Sequence, residues 1–171
     1  RVVFADAAGN TGSAETALTV DTVAPKYWTL TPTPGQWLGT RTPAFSVRFE
    51  DEASGIDTAR FGFAVDGVQR GERLTVECAP PLSSCRAASA TGFLLPEDAL
   101  AEGPHGATVA VFDRDGNAGV TTDSVPYPFS VDVTPPTLTV VLPVPTSYVG
   151  VRADRVRLEY TDAGSGIVPE S

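Results

Sequence analysis

Apolar and polar residues alternate with a period of two along much of this chain. Phe45, Val47 and Phe49 are separated by Ser46, Arg48 and Glu50, as in a strand with one face against a core and the other in water. The alternation returns at Val156, Leu158 and Tyr160, and at Phe61, Phe63 and Val65 ahead of an Asp66-Gly67 turn. Val109 and Val111 lead into another turn at Asp115-Gly116-Asn117. Strands are therefore predicted near 26–31, 43–50, 59–65, 72–78, 86–94, 106–113 and 119–132. Such a series of short strands implies an all-β sandwich of about seven strands. The one helical stretch, Pro96 to Leu100, covers little more than a turn and reads as a connection.

The pattern also recurs at long range. Asp21-Thr22-Val23-Ala24-Pro25 returns as Asp132-Val133-Thr134-Pro135-Pro136, and Asp51 with Ser54-Gly55-Ile56 returns as Asp162 with Ser165-Gly166-Ile167, both at a spacing of 111. Asp6, Asn10 and Gly12 return as Asp113, Asn117 and Gly119 at a spacing of 107. Pro32-Thr33-Pro34 matches Pro143-Val144-Pro145, Trp37-Leu38-Gly39 matches Tyr148-Val149-Gly150, and Trp28 corresponds to Thr139. A period near 110 is too long for a solenoid repeat and suits domains in series. The expected organisation is a tandem array: residues 1–24 as the last strands of an upstream module, 25–132 as one complete module, and 133–171 as the first strands of a downstream one. Pro25 and the Pro135-Pro136 pair follow a strand-ending aspartate, where proline fixes φ and removes a ladder donor, so the boundaries are expected to be stiff.

Charge narrows the functional classes. Twelve basic against 21 acidic residues give a net charge of −9, and no concentrated basic face is visible to bind phosphates, which disfavours a nucleic-acid partner. No run approaches the ~18 apolar residues of a membrane-spanning helix, and no targeting pattern opens the chain. Cys78 and Cys85 enclose Ala79-Pro80-Pro81-Leu82-Ser83-Ser84, a bend able to join antiparallel strands and bring two sulfurs together. A disulfide is the expectation there, and it implies an oxidising, extracytoplasmic setting. Two unpaired thiols in a reducing compartment are the alternative. The spacing is not CxxC, which argues against a redox centre or a zinc knuckle.

Catalysis finds little support. His105 is the only histidine and sits in Gly103-Pro104-His105-Gly106, where a turn or strand start is the simpler role. Neither GxSxG nor a glycine-rich phosphate loop is present. The acid pairs Asp51/Glu52 and Asp113/Asp115 suit a glycosidase in residue type alone. Calcium is the better-supported ligand. Asp113, Asp115 and Asn117 put three oxygen-bearing side chains at alternate positions of one turn, although the following residues depart from an EF-hand loop and the upstream copy at Asp6 lacks the middle acid. Asp21 and Asp132 end the last strands of consecutive modules, and Asp51 and Asp162 occupy matched acidic turns. If the fold gathers them, calcium would hold each junction at a fixed angle. The competing role is structural, since Asp and Asn close turns through their own backbone hydrogen bonds.

These residues carry a resemblance to the bacterial Ig-like and fibronectin type III-like repeat modules of large secreted or cell-surface proteins. Asp6-Ala7-Ala8-Gly9-Asn10 resembles their Asp-x-Ala-Gly-Asn turn, Val20 to Pro25 their last strand and junction, and Asp51 through Ile56 their acidic Ser-Gly-Ile turn. Gly103-Pro104-His105-Gly106 with Val109 and Val111 is similar to the start of their penultimate strand. The resemblance implies an Ig-like β-sandwich, an extracellular or cell-surface location, neighbouring modules of the same chain as partners, and calcium at some junctions. A non-catalytic spacer or stalk is the leading expectation. The alternatives are an adhesion module that binds a surface protein or glycan, with Trp28 as the candidate contact, and an accessory domain of a secreted hydrolase. Trp37, matched by Tyr148, is expected to be a packing residue.

Overall fold

The structure is a computed structural model and describes residues 1–120, 126–144, 148, 150 and 155–168. Its strands are β1 (Val2–Ala5), β2 (Thr11–Ala14), β3 (Lys26–Thr31), β4 (Trp37–Leu38), β5 (Ala44–Glu50), β6 (Ile56–Val65), β7 (Val68–Gln69), β8 (Leu74–Cys78), β9 (Ala87–Phe93), β10 (Gly103–Asp113), β11 (Ala118–Val120), β12 (Tyr127–Val131), β13 (Thr137–Leu142) and β14 (Arg157–Thr161). The chain is all-β, and its connections include single 3-10 turns at Gly71–Arg73 and Pro96–Asp98. The second of these occupies the stretch expected to be a connection.

Two sheets are built from residues 26 to 131. One has the strand order β3-β5-β9-β8 and the other β4-β12-β10-β6-β7, with β11 also on β10. Alternation decides what lies between them. Phe45, Val47 and Phe49 of β5 turn inward against Phe63 and Val65 of β6, Val109 and Val111 of β10, and Phe129 and Val131 of β12, and all are buried. The Phe45 ring packs edge-on against Phe63 and Phe129, with centroids 4.8 and 5.8 Å apart. Burying one such phenylalanine is worth about 1.5–3 kcal/mol, so this β-sandwich core outweighs any polar contact described below.

Two sequence expectations need adjusting. The strand expected at 119–132 is β11 and β12, which lie end to end along one edge of β10, while residues 121–125 between them are outside the described set. Pro145 and Val149 of the matched turns are outside it as well. Trp37 does not enter the core. It lies in β4, which pairs in parallel with β12, and is 47% exposed. Its counterpart Tyr148 is also exposed.

Outside the two sheets lie two separate hairpins, β1–β2 and β13–β14. Their apolar residues remain in contact with solvent: Val2, Val3 and Phe4 in the first, and Leu138, Val140, Leu158 and Tyr160 in the second.

A buried carboxylate ties the long connections of the sandwich together. Asp98 is buried and pairs with Arg70 through one oxygen and with Arg73 Nε at 2.5 Å through the other. Arg73 also reaches Glu97 at 3.1 Å. Both oxygens of Asp98 are thereby paired, as a buried charge requires. His105 lies in β10 as a structural residue, its Nδ1 2.7 Å from Asp66 Oδ2 and its Nε2 2.9 Å from the Ala101 carbonyl.

Candidate functional site

The acidic turns that punctuate the repeat are closed by the chain's own amides. Asp51 Oδ1 accepts the N–H of Ala53 at 3.2 Å and of Gly55 at 2.6 Å. Asp162 Oδ1 accepts those of Gly164 and Gly166 at 3.0 and 2.7 Å. Gly55 and Gly166 have φ of +84° and +86°, the left-handed region that glycine enters without a Cβ penalty. The aspartate and the glycine thus specify each turn locally. The Asp6 and Asp113 turns form a second matched pair. Asn10 and Asn117 each donate a backbone N–H to Oδ1 of the aspartate four residues earlier, at 2.9 and 2.7 Å, and a side-chain amide to its Oδ2, at 2.8 and 2.6 Å.

Long-range contacts join these turns to the boundary aspartates. Asp21 Oδ2 accepts the Ser54 N–H at 2.9 Å, while its Oδ1 caps Val23 at 3.0 Å. Asp132 repeats the arrangement 111 residues later, with Oδ2 on the Ser165 N–H at 2.6 Å and Oδ1 on Thr134 at 3.1 Å. At the first boundary the Asn117 amide also donates to the Asp21 carbonyl at 3.1 Å. The serine donors could have been found from sequence, because Asp21 to Ser54 and Asp132 to Ser165 share a separation of 33 residues.

Of the expected calcium ligands, the fold gathers Asp21, Asp51 and Asp113, whose carboxyl oxygens lie within 4.8 Å of one another. Asp51 and Asp113 are buried and Asp21 is half-buried. Asp115 is outside this cluster and lines an adjacent shallow recess with Asp21 and Ser54. Asn117 is oriented as a donor to Asp113 and Asp21. Asp132 and Asp162 form the matching boundary, where no third carboxylate completes a cluster among the described residues.

Hydrogen bonds favour the charged form of Asp21, Asp113 and Asp132. Ser54, whose N–H donates to Oδ2, holds Asp21 below the ordinary value of 3.8 with help from the Val23 N–H. Burial pushes Asp113 upward, but the hydrogen bonds from Asn117 and Gly116 outweigh it and leave the group below its ordinary value, against opposition from the Asp21 charge. Ser165 and Thr134 lower Asp132 in the same way. Three carboxylates at this separation repel, and a hard cation with oxygen ligands is the ligand class that would relieve it.

Cys78 and Cys85 form a disulfide with Cα atoms 5.3 Å apart, as expected. Its loop lies against the first boundary, since Ile56 donates its N–H to the Cys85 carbonyl, Asp51 to that of Arg86, and Arg114 NH1 to that of Ser83, all at 2.8 Å. A disulfide accords with an oxidising environment. Among the described residues no helix is long and apolar enough to cross a membrane. Comparison with protein-family models, curated proteins and solved structures gave no match.

Proposed function

We propose that this chain is a non-catalytic spacer of an extracellular or cell-surface protein, in which Ig-like modules in series are held at set angles by boundary clamps. One observation carries the reading. The same carboxylate-to-amide bond, Asp21 to Ser54 and Asp132 to Ser165, forms at two places one repeat apart, so the contact belongs to the repeat and not to one accidental surface. The strand order supports an Ig-like module: β3-β5-β9-β8 corresponds to the A-B-E-D sheet of an immunoglobulin sandwich, and β12-β10-β6 to its G-F-C sheet. The solvent-exposed apolar residues of β1–β2 and β13–β14 support their assignment to neighbouring modules.

The triad of Asp21, Asp51 and Asp113 favours a second element, a calcium ion that reinforces the first clamp. Asp21 comes from the end of one module and the other two from the next, so a shared cation would join them and would add stability by binding only the assembled state.

The test uses spin labels on the intact chain, at Ser13→Cys on β2 and Gln69→Cys on β7, with double electron–electron resonance as the readout. A narrow distance distribution is expected, broadening in Asp21→Ala and narrowing further with millimolar calcium. A broad distribution that Asp21→Ala leaves unchanged overturns the clamp. No response to calcium, with the clamp intact, removes the cation alone.

A further inference from the structure

We propose that the recess beside Trp28 docks an arginine side chain from a partner protein. Trp28 is 63% exposed and stands at a β-bulge, because Tyr27 pairs with Phe49 and Thr29 with Arg48, leaving Trp28 as the extra residue of β3. β3 is also the edge of its sheet. A bulge on an edge strand interrupts the row of free backbone groups that another strand would need. Recognition here therefore belongs to side chains and not to strand addition.

The chemistry of the recess selects a cation. It is lined by Trp28, Lys26, Glu50, Asp51 and Glu52, with residues 23 and 24 of the boundary segment on the remaining side. Asp51 is already engaged by the Ala53 and Gly55 amides. Glu50 and Glu52 take part in no ion pair among the described residues, and Lys26, opposite Glu50 in the strand register, offsets only part of their charge. An exposed indole flanked by carboxylates attracts a guanidinium on two counts, by stacking against the ring and by charge-assisted hydrogen bonds to the acids. The volume of about 220 Å³ falls below the ~300–1,000 Å³ typical of pockets that enclose a small molecule, which suits one side chain of a larger partner. The repeat does not supply this feature elsewhere, because Thr139 takes the place of Trp28. The inference goes beyond the spacer reading: Asp51 and the boundary segment form one wall of the recess, but the groups that bind the guanidinium, Trp28, Glu50 and Glu52, take no part in the clamp or the carboxylate cluster.

The test is a titration of the isotope-labelled chain with a blocked Gly-Arg-Gly-Arg-Gly peptide, followed by NMR at the Trp28 indole N–H. Its citrulline counterpart, chitotetraose and cellotetraose are the comparison probes. The arginine peptide is expected to shift the Trp28 signal, with affinity about fivefold weaker in Trp28→Ala and about threefold weaker in Glu52→Gln, and citrulline is expected to leave it unmoved. Trp28→Phe keeps an aromatic face and serves as the folding-safe variant, expected to retain most of the binding. Equal shifts with citrulline, no effect of Glu52→Gln, a response to either sugar in place of arginine, or no shift with any probe would each overturn the proposal.

Discussion

The two matched contacts, Asp21 to Ser54 and Asp132 to Ser165, share their hydrogen bonds but differ in their surroundings. At the first, Asp21 meets Ser54 beside the buried Asp51 and Asp113, with the Asn117 amide on its carbonyl and the disulfide loop behind the turn. At the second, Asp132 meets Ser165 in a turn whose residues are largely in water. The bond itself therefore needs only a boundary aspartate, an acidic turn and a glycine. What surrounds it comes from far along the chain, chiefly the disulfide loop between β8 and β9, which closes over the first turn, and the end of β10, which supplies the third carboxylate. The contact is thus encoded in two layers, one local and repeated, the other remote.

Replacing the turn glycines separates those layers with the largest effect. A Cβ on Gly55 would collide with the Ser84 carbonyl oxygen, whereas one on Gly166 would meet nothing within 4 Å. Both positions have positive φ, so both variants carry the left-handed penalty of about 1–2 kcal/mol, but only the first must also displace backbone. Gly55→Ala is expected to cost roughly 4 kcal/mol or more, and Gly166→Ala only the backbone penalty. Guanidinium unfolding of the chain reads the first, and amide exchange at Ser165 reads the second. Similar losses at the two sites would show that the disulfide loop does not brace the first turn.

Removing the disulfide tests the remote layer alone. Cys78→Ser with Cys85→Ser is expected to cost about 2.5 kcal/mol by the chain-entropy argument for a short closed loop. It should also speed amide exchange at Ile56, whose N–H is held by the Cys85 carbonyl, while leaving Ser165 unchanged. Equal acceleration at Ile56 and Ser165 would mean that the two boundaries are not independently supported.

The division into layers also explains which features could be read from residues alone. The alternation at Phe45 to Phe49 and at Phe61 to Val65 marks strands because the core faces one side of each sheet. The Ser-Gly-Ile turns are visible because their hydrogen bonds span four residues or fewer. Gathering Asp113 with Asp21 and Asp51 depends on β10 pairing with β6, a contact with no local trace. The pairing of Asp98 with Arg70 and Arg73 is hidden for the same reason. Trp37 misleads because an aromatic repeated at one position suggests packing, yet β4 places it at a sheet edge.

Acid gives the smallest effect. Asp21, Asp113 and Asp132 all have folded-state values below the ordinary 3.8. Their contribution is therefore full above the unfolded value and is lost as pH falls through the folded ones. NMR of the Ser54 and Ser165 amides across the acid range should show both bonds held above the ordinary carboxylate value and released only below it. Asp21→Asn should remove the response at Ser54 and leave that at Ser165. A Ser54 response that survives the substitution would assign the titration to another group.

The parallel pairing of β4 with β12 has a mechanical consequence. Gly35 donates its N–H to the Pro128 carbonyl, Ser130 to that of Gln36, and Asp132 to that of Leu38, at 2.7, 2.8 and 2.9 Å. These bonds join the segment that follows β3, the first strand of the sandwich, to β12, the strand through which the chain leaves. Tension applied at Pro25 and Asp132 would load the pairing of β3 with β5 first, and once β3 had come away it would pull β4 and β12 past each other along their length. The three bonds would then bear the load together in shear, instead of opening one after another like a zip.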